Sequence, residues 1–339
     1  MISERAKQFF ENYLGKKSSE FVSLAQSGSA RVNFWAQSDN RKYIVTYNEN
    51  IQENESFFYY SEIFSTLNLN TPAIFKISED RKLYIQEFLG QKTLSEIITK
   101  EGLSVNVRSL VQQTLEKLYQ LQVLTQNKID YSKTFEYEQY DELPVTHDLY
   151  YFKNFVVDVL ELEYHKSALL KEFKAIVSLI EHLEPKGLMI RDFQARNIMV
   201  NEKNEVSFID YQSAMKGPLM YDVISFLFQA KANFPENFKD EMLDFYIHLF
   251  ENKETQIQLK ESVKPIQMMR FLQVLGAYGF RGLIQRKQHF IASIEKGIEN
   301  ITEFADSWEN MREYPELKKV IGQLRLEKTK VKIKEILNN

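Results

Sequence analysis

Residues 191–200 read RDFQARNIMV, and this stretch decides how the rest of the 339-residue sequence is interpreted. Asp192 follows a short apolar run, and Asn197 leads directly into another. A polar turn separates that second run from a third, which ends in Asp210. Short apolar runs on both sides of a polar turn predict a hairpin of short strands. We therefore expect Asp192, Asn197 and Asp210 to lie close together.

These three side chains carry oxygen ligands of the kind that a hard cation binds. A carboxylate and an amide oxygen suit Mg²⁺, which keeps most of its waters and also takes phosphate oxygens. The remaining carboxylate can orient an attacking hydroxyl group and accept its proton. The alternative is three unrelated polar loop residues, but the third of them, Asp210, stands at the right distance along the chain and each residue borders an apolar run.

The composition is that of an ordinary globular protein and excludes several classes. Apolar residues make up 44% of the chain and charged residues 27%. The 43 basic residues against 47 acidic ones give a net charge of −4, so no basic excess favours a nucleic acid as partner. The absence of cysteine excludes a disulfide framework, a zinc ribbon and a cysteine nucleophile. Without a secretory segment or an apolar run of membrane-spanning length, we expect a cytoplasmic protein that binds no membrane.

The chain consists of two regions that differ in their predicted secondary structure. Residues 21–47 alternate between apolar and polar positions and contain two turns, as in an antiparallel meander. A helical segment at 52–67 and two short strands follow, and beyond Gly90 the pattern is mostly helical. We predict an α+β protein with a small antiparallel sheet region over residues 1–88 and a larger, mainly helical region over residues 89–339.

The pattern around Asp192 resembles that of a known enzyme superfamily. An aspartate, four residues, an asparagine and then a strand that ends in a second aspartate is the catalytic pattern of the protein-kinase-like fold. Together with FIDYQ over 208–212 and GPLMYD over 217–222, the stretch resembles the aminoglycoside phosphotransferase and choline kinase superfamily. It is most similar to the bacterial N-acetylmuramate/N-acetylglucosamine anomeric kinases, which carry a helix similar to residues 270–278. The resemblance implies a bilobal protein-kinase-like fold, with the sheet region as the N-lobe and the helical region as the C-lobe.

The resemblance also implies roles and cofactors for the catalytic stretch. Asp192 would be the catalytic base that engages the acceptor hydroxyl group. Asn197 and Asp210 would hold Mg²⁺ on the phosphates of ATP. For Arg196 two roles stay open, because it can contact substrate or phosphate, or form a salt bridge with a neighbouring acid.

Two N-terminal segments match nucleotide-binding parts of the superfamily. The turn that contains Ser27, Gly28 and Ser29 stands in the place of the glycine-rich loop, where a glycine permits close approach to phosphates and serines can donate hydrogen bonds. The segment that contains Glu87 and Phe88 stands in the place of the hinge, whose backbone would bind adenine.

One departure from the superfamily concerns its ATP-binding lysine. The third strand, at 43–47, reads YIVTY and contains no lysine. Arg31 is the candidate substitute, because a guanidinium can bind phosphate bidentately and the similar sugar kinases also place an arginine there. The helix glutamate that would pair with the missing lysine is predicted to be Glu55, with Glu53 and Glu62 as alternatives.

The resemblance implies that ATP donates its γ-phosphoryl group to a hydroxyl group of a small molecule. The acceptor it favours is an amino sugar, phosphorylated at the anomeric position. A kinase of another acceptor, such as choline or an aminoglycoside, is one alternative. Another alternative is a nucleotide-binding pseudokinase or adaptor, which the missing lysine suggests. The Lys-rich segment 318–334 would then be its partner surface. Segment 125–150, rich in tyrosines and acids, could line the acceptor site or be a solvent-exposed loop.

Overall fold

The computed structural model describes residues 2–25 and 31–338, and the chain divides into two compact units. Unit 1 consists of residues 1–138 and 187–216, and unit 2 consists of residues 139–186 and 217–339. Asp192, Asn197 and Asp210 therefore all belong to unit 1. The division into lobes at residue 88 stays a prediction.

A five-stranded sheet forms the N-terminal part of unit 1. Neighbouring strands run antiparallel in the order β1-β2-β3-β5-β4. The elements of this part are α1 (Ile2–Leu14), β1 (Glu20–Ser23), β2 (Val32–Ser38), β3 (Arg41–Tyr47), α2 (Ile51–Thr66), β4 (Ile74–Ile77) and β5 (Leu83–Glu87).

The two faces of this sheet differ because successive side chains of a strand point to opposite sides. On one face Phe34 and Ala36 of β2 pack with Val45 of β3 and Ile85 of β5 against the helix residue Phe10. The side chains between them must face the other way. That second face carries polar groups and is the one from which the candidate site is built.

A second, three-stranded sheet in the order β6-β8-β9 holds the catalytic stretch in unit 1. Helix α3 begins with a capping box, in which Thr93 and Glu96 each satisfy the other's backbone N–H. The elements are β6 (Lys92–Thr93), α3 (Leu94–Glu101), α4 (Val105–Leu124), a 3₁₀ turn (Tyr131–Lys133), β7 (Lys186–Met189), a 3₁₀ turn (Ala195–Asn197), β8 (Ile198–Val200) and β9 (Val206–Phe208).

Unit 2 is mainly helical, and two of its helices continue as π-helical turns. Apart from strand ends at the boundary of the units, among them that of β10 (Met215–Pro218), the described elements of unit 2 are helices and helical turns. They are α5 (Glu142–Phe152) with the π-helix Lys153–Val157, α6 (Lys166–Glu181), α7 (Met220–Leu227), α8 (Glu236–His248), α9 (Lys253–Tyr278) with the π-helix Gly279–Ile284, α10 (Gln288–Ser307), a 3₁₀ turn (Glu309–Glu313), α11 (Pro315–Gln323) and α12 (Glu327–Asn338).

Two glycines allow α9 to approach α5 within unit 2. A Cβ atom at Gly276 would lie 2.8 Å from the backbone nitrogen of Phe152, and one at Gly279 would overlap the carbonyl oxygen of Phe155. Since real Cβ atoms do not come so close, both positions require glycine.

The architecture confirms the predicted α+β class, with an antiparallel sheet near the N-terminus and a mainly helical remainder. Among the described helices, none has both the length and the hydrophobicity that crossing a membrane requires.

Candidate active site

The hairpin of β8 and β9 brings Asn197 and Asp210 together. Its register pairs Ile198 with Phe208, and the backbone N–H of Ile209 donates to the carbonyl oxygen of Asn197 at 3.0 Å. The Asn197 side-chain NH₂ group then donates to Asp210 Oδ2 at 3.2 Å and to the backbone oxygen of Asp192 at 2.9 Å. One amide therefore ties together all three residues that the sequence singles out.

The Asp192 carboxylate stays accessible. Its side chain is 38% exposed, and Oδ2 accepts a hydrogen bond from Arg196 Nη2 at 2.9 Å. Of the two roles left open for Arg196, the structure shows the salt bridge to a neighbouring acid. An exposed pair of this kind contributes about 0–1 kcal/mol. Asp192 can therefore exchange this partner for a hydroxyl group at little energetic cost.

Asp210 is held in an unusual backbone conformation. Its φ is 66°, in the left-handed region that residues with a side chain seldom adopt, and Arg191 at the start of the stretch has φ 73°. Asp210 Oδ1 accepts hydrogen bonds from Gln212 Nε2 at 3.0 Å and from Arg31 Nη1 at 3.1 Å. Strained residues held by their neighbours are typical of functional sites.

Arg31 places a cation between two carboxylates of unit 1. Besides Asp210, its guanidinium contacts Glu53, with Nη2 and Oε1 2.5 Å apart, and the side chain is only 10% exposed. Burial alone would lower the pKa of Arg31, but Tyr84, Asp210 and Glu53 outweigh it and raise that pKa. The guanidinium is therefore charged at any physiological pH.

The third strand carries a hydroxyl group close to this cation. Thr46 is buried, its hydroxyl donates to Asn33 Oδ1 at 2.8 Å and it accepts from Gln86 Nε2 at 3.0 Å. The buried Tyr84 phenol lies near both Thr46 and the guanidinium of Arg31. The positive charge at this place thus comes from the residue before β2 and not from β3.

The prediction that Glu55 is the helix glutamate of the site is wrong, because Glu53 is the one that faces Arg31. Glu53 also accepts from Asn48 Nδ2 at 2.8 Å. Glu55 forms a bidentate pair with Arg81 at 2.5 and 2.6 Å. Two residues along an α-helix correspond to a rotation of about 200°. Glu53 and Glu55 therefore point to opposite sides of α2.

Glu62, the other alternative, lies on the same side of α2 as Glu55. Both side chains line a cavity of about 870 Å³ that α2 forms with Ile74, Ile77 and Arg81. Neither Arg31 nor Asp210 lines this cavity.

Helix α2 also holds the segment that follows Asp210. The Tyr211 ring stacks on Phe57 with centroids 4.9 Å apart, and its hydroxyl lies 2.7 Å from Ser61 Oγ. Ser56 Oγ donates to the carbonyl oxygen of Gln212 at 2.7 Å. Burial raises the pKa of the Tyr211 phenol, so it stays neutral. Ser56 and Ser61, which make these contacts, were not among the predicted site residues.

The donor set around Asp210 fits a hard divalent cation. Asn197 uses both side-chain N–H groups in the hydrogen bonds above, so its oxygen is left for a metal. Gln212 Oε1 is buried and, within residues 2–25 and 31–338, has no hydrogen-bond partner. Carboxylate and amide oxygens are the ligands that Mg²⁺ takes. Gln212 was not among the predicted site residues.

The remaining residues predicted to contact the nucleotide are Glu87, Phe88, Ser27, Gly28 and Ser29. Glu87 ends β5, its carboxylate accepts from the backbone N–H of Ala73 at 3.2 Å, and its own backbone N–H donates to the carbonyl oxygen of Ala73 at 2.9 Å. The ring of Phe88 lies 5.6 Å from Lys42 Nζ. Ser27, Gly28 and Ser29 lie outside the described residues.

Comparison with known proteins agrees with this geometry. Residues 22–260 match the model of the phosphotransferase enzyme family, so the chain belongs to that family. Membership confirms the prediction of an enzyme of the small-molecule kinase class. The search of curated proteins found no match.

Solved structures of the same fold include three kinds of kinase. A choline kinase from Streptococcus pneumoniae is 13% identical, with a TM-score of 0.60 over 89% of this chain and 99% of that chain. An ethanolamine kinase from Plasmodium vivax is 16% identical, with a TM-score of 0.57 over 84% and 82%. A thermostable mutant of an aminoglycoside phosphotransferase is 14% identical, with a TM-score of 0.58 over 89% and 98%. These likenesses confirm the protein-kinase-like fold.

Proposed function

We propose that this protein transfers the γ-phosphoryl group of ATP to a hydroxyl group of an amino sugar, at the anomeric position. The observation that carries the proposal is the meeting of Asp192, Asn197, Asp210 and Arg31 in unit 1. Phosphoryl transfer requires little covalent chemistry from the protein and depends on positioning and charge neutralisation. Each of these four residues supplies one of those two functions.

Asp192 acts on the acceptor. Its exposed carboxylate accepts the hydrogen bond of the attacking hydroxyl group and takes the proton as the new O–P bond forms. The hydroxyl oxygen attacks the γ-phosphorus, and the bond to the bridging oxygen breaks to release ADP. Arg196 holds the carboxylate in place until the acceptor arrives.

Asp210, Asn197 and Gln212 act on the nucleotide. Asp210 and the Asn197 oxygen would hold Mg²⁺, and Gln212, whose Nε2 donates to the same carboxylate, would offer its buried Oε1 as a further oxygen ligand. When bound, Mg²⁺ neutralises the charge that accumulates on the phosphate oxygens. Arg31 adds a cation whose planar guanidinium can donate two parallel hydrogen bonds to a phosphate.

The fold neighbours support a small hydroxyl-bearing acceptor. Their names and complexes include choline kinase with AMP, ethanolamine kinase, and an aminoglycoside phosphotransferase with ADP and hygromycin B. The choice of an amino sugar depends on the resemblance of residues 191–200, 208–212, 217–222 and 270–278. Within unit 2, Arg270 donates to the Tyr221 hydroxyl at 2.9 Å and to Ser225 Oγ at 2.8 Å. These hydrogen bonds join α9 to α7.

The test is ADP release from the purified protein with Mg-ATP and a panel of acceptors. The panel contains N-acetylmuramate, N-acetylglucosamine, glucose, galactose, choline and kanamycin. We expect release only with an acetylated amino sugar, and the product should be an anomeric phosphate that mild acid cleaves. Release with choline or kanamycin instead would refute the amino sugar, and no release with any acceptor would count against the kinase.

An adaptor without kinase activity has weaker support. Arg31 supplies a cation in place of the absent lysine, and the basic segment 318–334 pairs with acids of its own unit. Its ion pairs within unit 2 are Lys319–Glu316, Arg325–Asp306, Lys328–Glu163 and Lys332–Glu161, with N–O distances of 2.6–3.5 Å.

A further inference from the structure

The cavity beside Glu55 and Glu62 of α2 is a second candidate binding site within unit 1. None of the residues assigned to phosphoryl transfer lines it. Its volume of about 870 Å³ is within the range of sites that enclose small molecules. Phe58, Ile74 and Ile77 supply apolar surface to its wall. The cavity can therefore hold a ligand with an apolar part.

Arg81 and Glu55, two of the charged side chains that line the cavity, neutralise each other. Arg81 binds both carboxylate oxygens of Glu55, through Nε and Nη2. Its guanidinium also lies over the Phe58 ring, with Cζ 4.9 Å from the ring centroid. A bidentate pair of this kind satisfies both groups in a fixed geometry. A ligand of the cavity is therefore not required to balance either charge.

Glu62 and Lys133 are the other charged side chains at the cavity, and they carry opposite charges. In the part of the chain that the structure describes, neither forms a salt bridge or a side-chain hydrogen bond. Lys133 Nζ lies 5.0 Å from the centroid of the Tyr59 ring, and Tyr59 precedes Glu62 by three residues on α2. Cβ atoms at that spacing on a helix are about 5–6 Å apart. A carboxylate and an ammonium group thus line neighbouring parts of the same wall without pairing with each other.

We propose that this cavity binds an α-amino acid with a large apolar side chain. An α-amino acid carries an ammonium and a carboxylate group on the same carbon atom, so it can bind Glu62 and Lys133 at the same time. Its side chain would lie against Phe58, Ile74 and Ile77. A simple amine or a simple carboxylate would pair with only one of the two charges and would leave the other without a partner.

Ser61 connects the cavity to the phosphoryl-transfer residues. It lines the cavity, and its hydroxyl oxygen lies 2.7 Å from that of Tyr211, the residue after Asp210. Glu53 of the same helix holds Arg31. A ligand that shifts or fixes α2 therefore acts on the residues that would bind the phosphates of ATP. This regulatory part of the proposal depends on the function proposed above, since it takes ATP to bind at Arg31 and Asp210.

Calorimetric titration of the purified protein with L-phenylalanine tests the binding. Phenethylamine, which lacks the carboxylate, and 3-phenylpropionate, which lacks the ammonium group, are matched controls. A hydrogen bond to a charged group accounts for about 10- to 150-fold in affinity. We expect phenylalanine to bind and each control to bind at least about tenfold more weakly. Equal affinities for all three compounds, or no binding of phenylalanine at millimolar concentration, would overturn the proposal.

Substitutions of the two charged residues locate the binding in the cavity. Glu62 and Lys133 are both exposed, so Glu62→Gln and Lys133→Gln should fold normally. We expect each to weaken phenylalanine binding by about tenfold or more. Lys128 is an exposed lysine that does not line the cavity, and Lys128→Gln should bind phenylalanine as the unaltered protein does. Undiminished binding by Glu62→Gln or by Lys133→Gln would show that the ligand lies elsewhere.

The regulatory part is measured as the affinity for Mg-ADP with and without saturating phenylalanine. Coupling between two sites commonly changes an affinity by about 5- to 150-fold, and we expect a change of at least about fivefold. Ser61→Ala removes the hydroxyl that contacts Tyr211, so this variant should bind phenylalanine while the change falls to about twofold or less. Ser65 lines the same cavity and is exposed, and Ser65→Ala should keep the full effect.

The outcomes separate this proposal from the proposed function. If phenylalanine binds and no acceptor yields ADP, the binding site stands and the kinase fails. If an acetylated amino sugar yields ADP and phenylalanine does not bind, the kinase stands and the cavity proposal fails. If phenylalanine binds but leaves the affinity for Mg-ADP unchanged, the binding site stands and its regulatory part fails.

Discussion

Arg31 and Asp210 are 179 positions apart in the chain, yet Arg31 Nη1 donates to Asp210 Oδ1 at 3.1 Å. The contact joins the sheet, through the residue before β2, to the end of the catalytic hairpin. Glu53 of α2 holds the other Nη atom of the same guanidinium at 2.5 Å. A helix, a strand end and a loop thereby meet at one charged group in unit 1. This arrangement leads to the first two predictions.

Replacing Arg31 with Ala should lower kcat/KM for ATP by about 10²-fold, because loss of one preorganised donor at a transferring group costs that much. Arg31→Lys keeps the charge but cannot donate two parallel hydrogen bonds, so we expect about a tenfold loss. Steady-state kinetics with varied Mg-ATP would measure both. Normal turnover by Arg31→Ala would show that another group supplies the cation.

Glu53 and Glu55 form a matched pair for testing which helix glutamate supports the site. Glu53→Gln removes the charge beside a nearly buried guanidinium and should lower kcat/KM for ATP by roughly tenfold, as expected for a hydrogen bond to a charged group. Glu55→Gln affects only an exposed pair with Arg81 and should stay within about twofold. The reverse result, with Glu55 the sensitive position, would restore the assignment made from the sequence.

Asp192→Ala should reduce phosphoryl transfer by about 10²–10⁴-fold, the usual contribution of a general base. Nucleotide binding should stay near normal, since Asp192 touches Asn197 only through its backbone oxygen, which the substitution keeps. ADP release measures the first quantity, and calorimetry with ATP measures the second. A variant that turns over normally would disprove the assignment of the base.

Asp210→Ala should abolish the dependence of nucleotide binding on Mg²⁺. The substitution removes the carboxylate that Asn197, Gln212 and Arg31 all contact. Calorimetric titration of ADP with and without Mg²⁺ should show a large difference for the unaltered protein and about the same affinity in both conditions for the variant. If Mg²⁺ still strengthens binding to the variant, Asp210 is not its ligand.

Two helical glycines of unit 2 should respond to alanine in opposite ways. Gly279→Ala places a Cβ on the carbonyl oxygen of Phe155 and should destabilise the protein by about 1–3 kcal/mol. A Cβ at Gly322 would meet nothing within 4 Å, so Gly322→Ala should be neutral or stabilise by up to about 1 kcal/mol. Urea unfolding of both variants would measure the difference. Equal midpoints would mean that α5 and α9 shift apart without cost.

Much of the candidate site was predictable because its parts are close in sequence. Asp192, Asn197 and Asp210 are joined by a short hairpin, and the pattern of apolar runs and a polar turn predicts such a hairpin locally. Gln212 belongs to the same segment but was overlooked, because a glutamine becomes informative only when its oxygen is found buried without a partner. The serines of α2 were overlooked because a helical serine becomes informative only when its hydroxyl is found bonded to a distant segment.

The sequence by itself determined the α+β class, the catalytic hairpin and the chemistry that its three polar residues can perform, because these depend on local periodicity and residue type. Only the tertiary structure decided that Glu53 and not Glu55 faces Arg31, since one step of two residues on a helix reverses the direction of a side chain. Only the tertiary structure could also show that Arg31 reaches Asp210. That contact depends on how the sheet, α2 and the hairpin pack in unit 1, and no local pattern encodes the packing of segments so far apart in the chain.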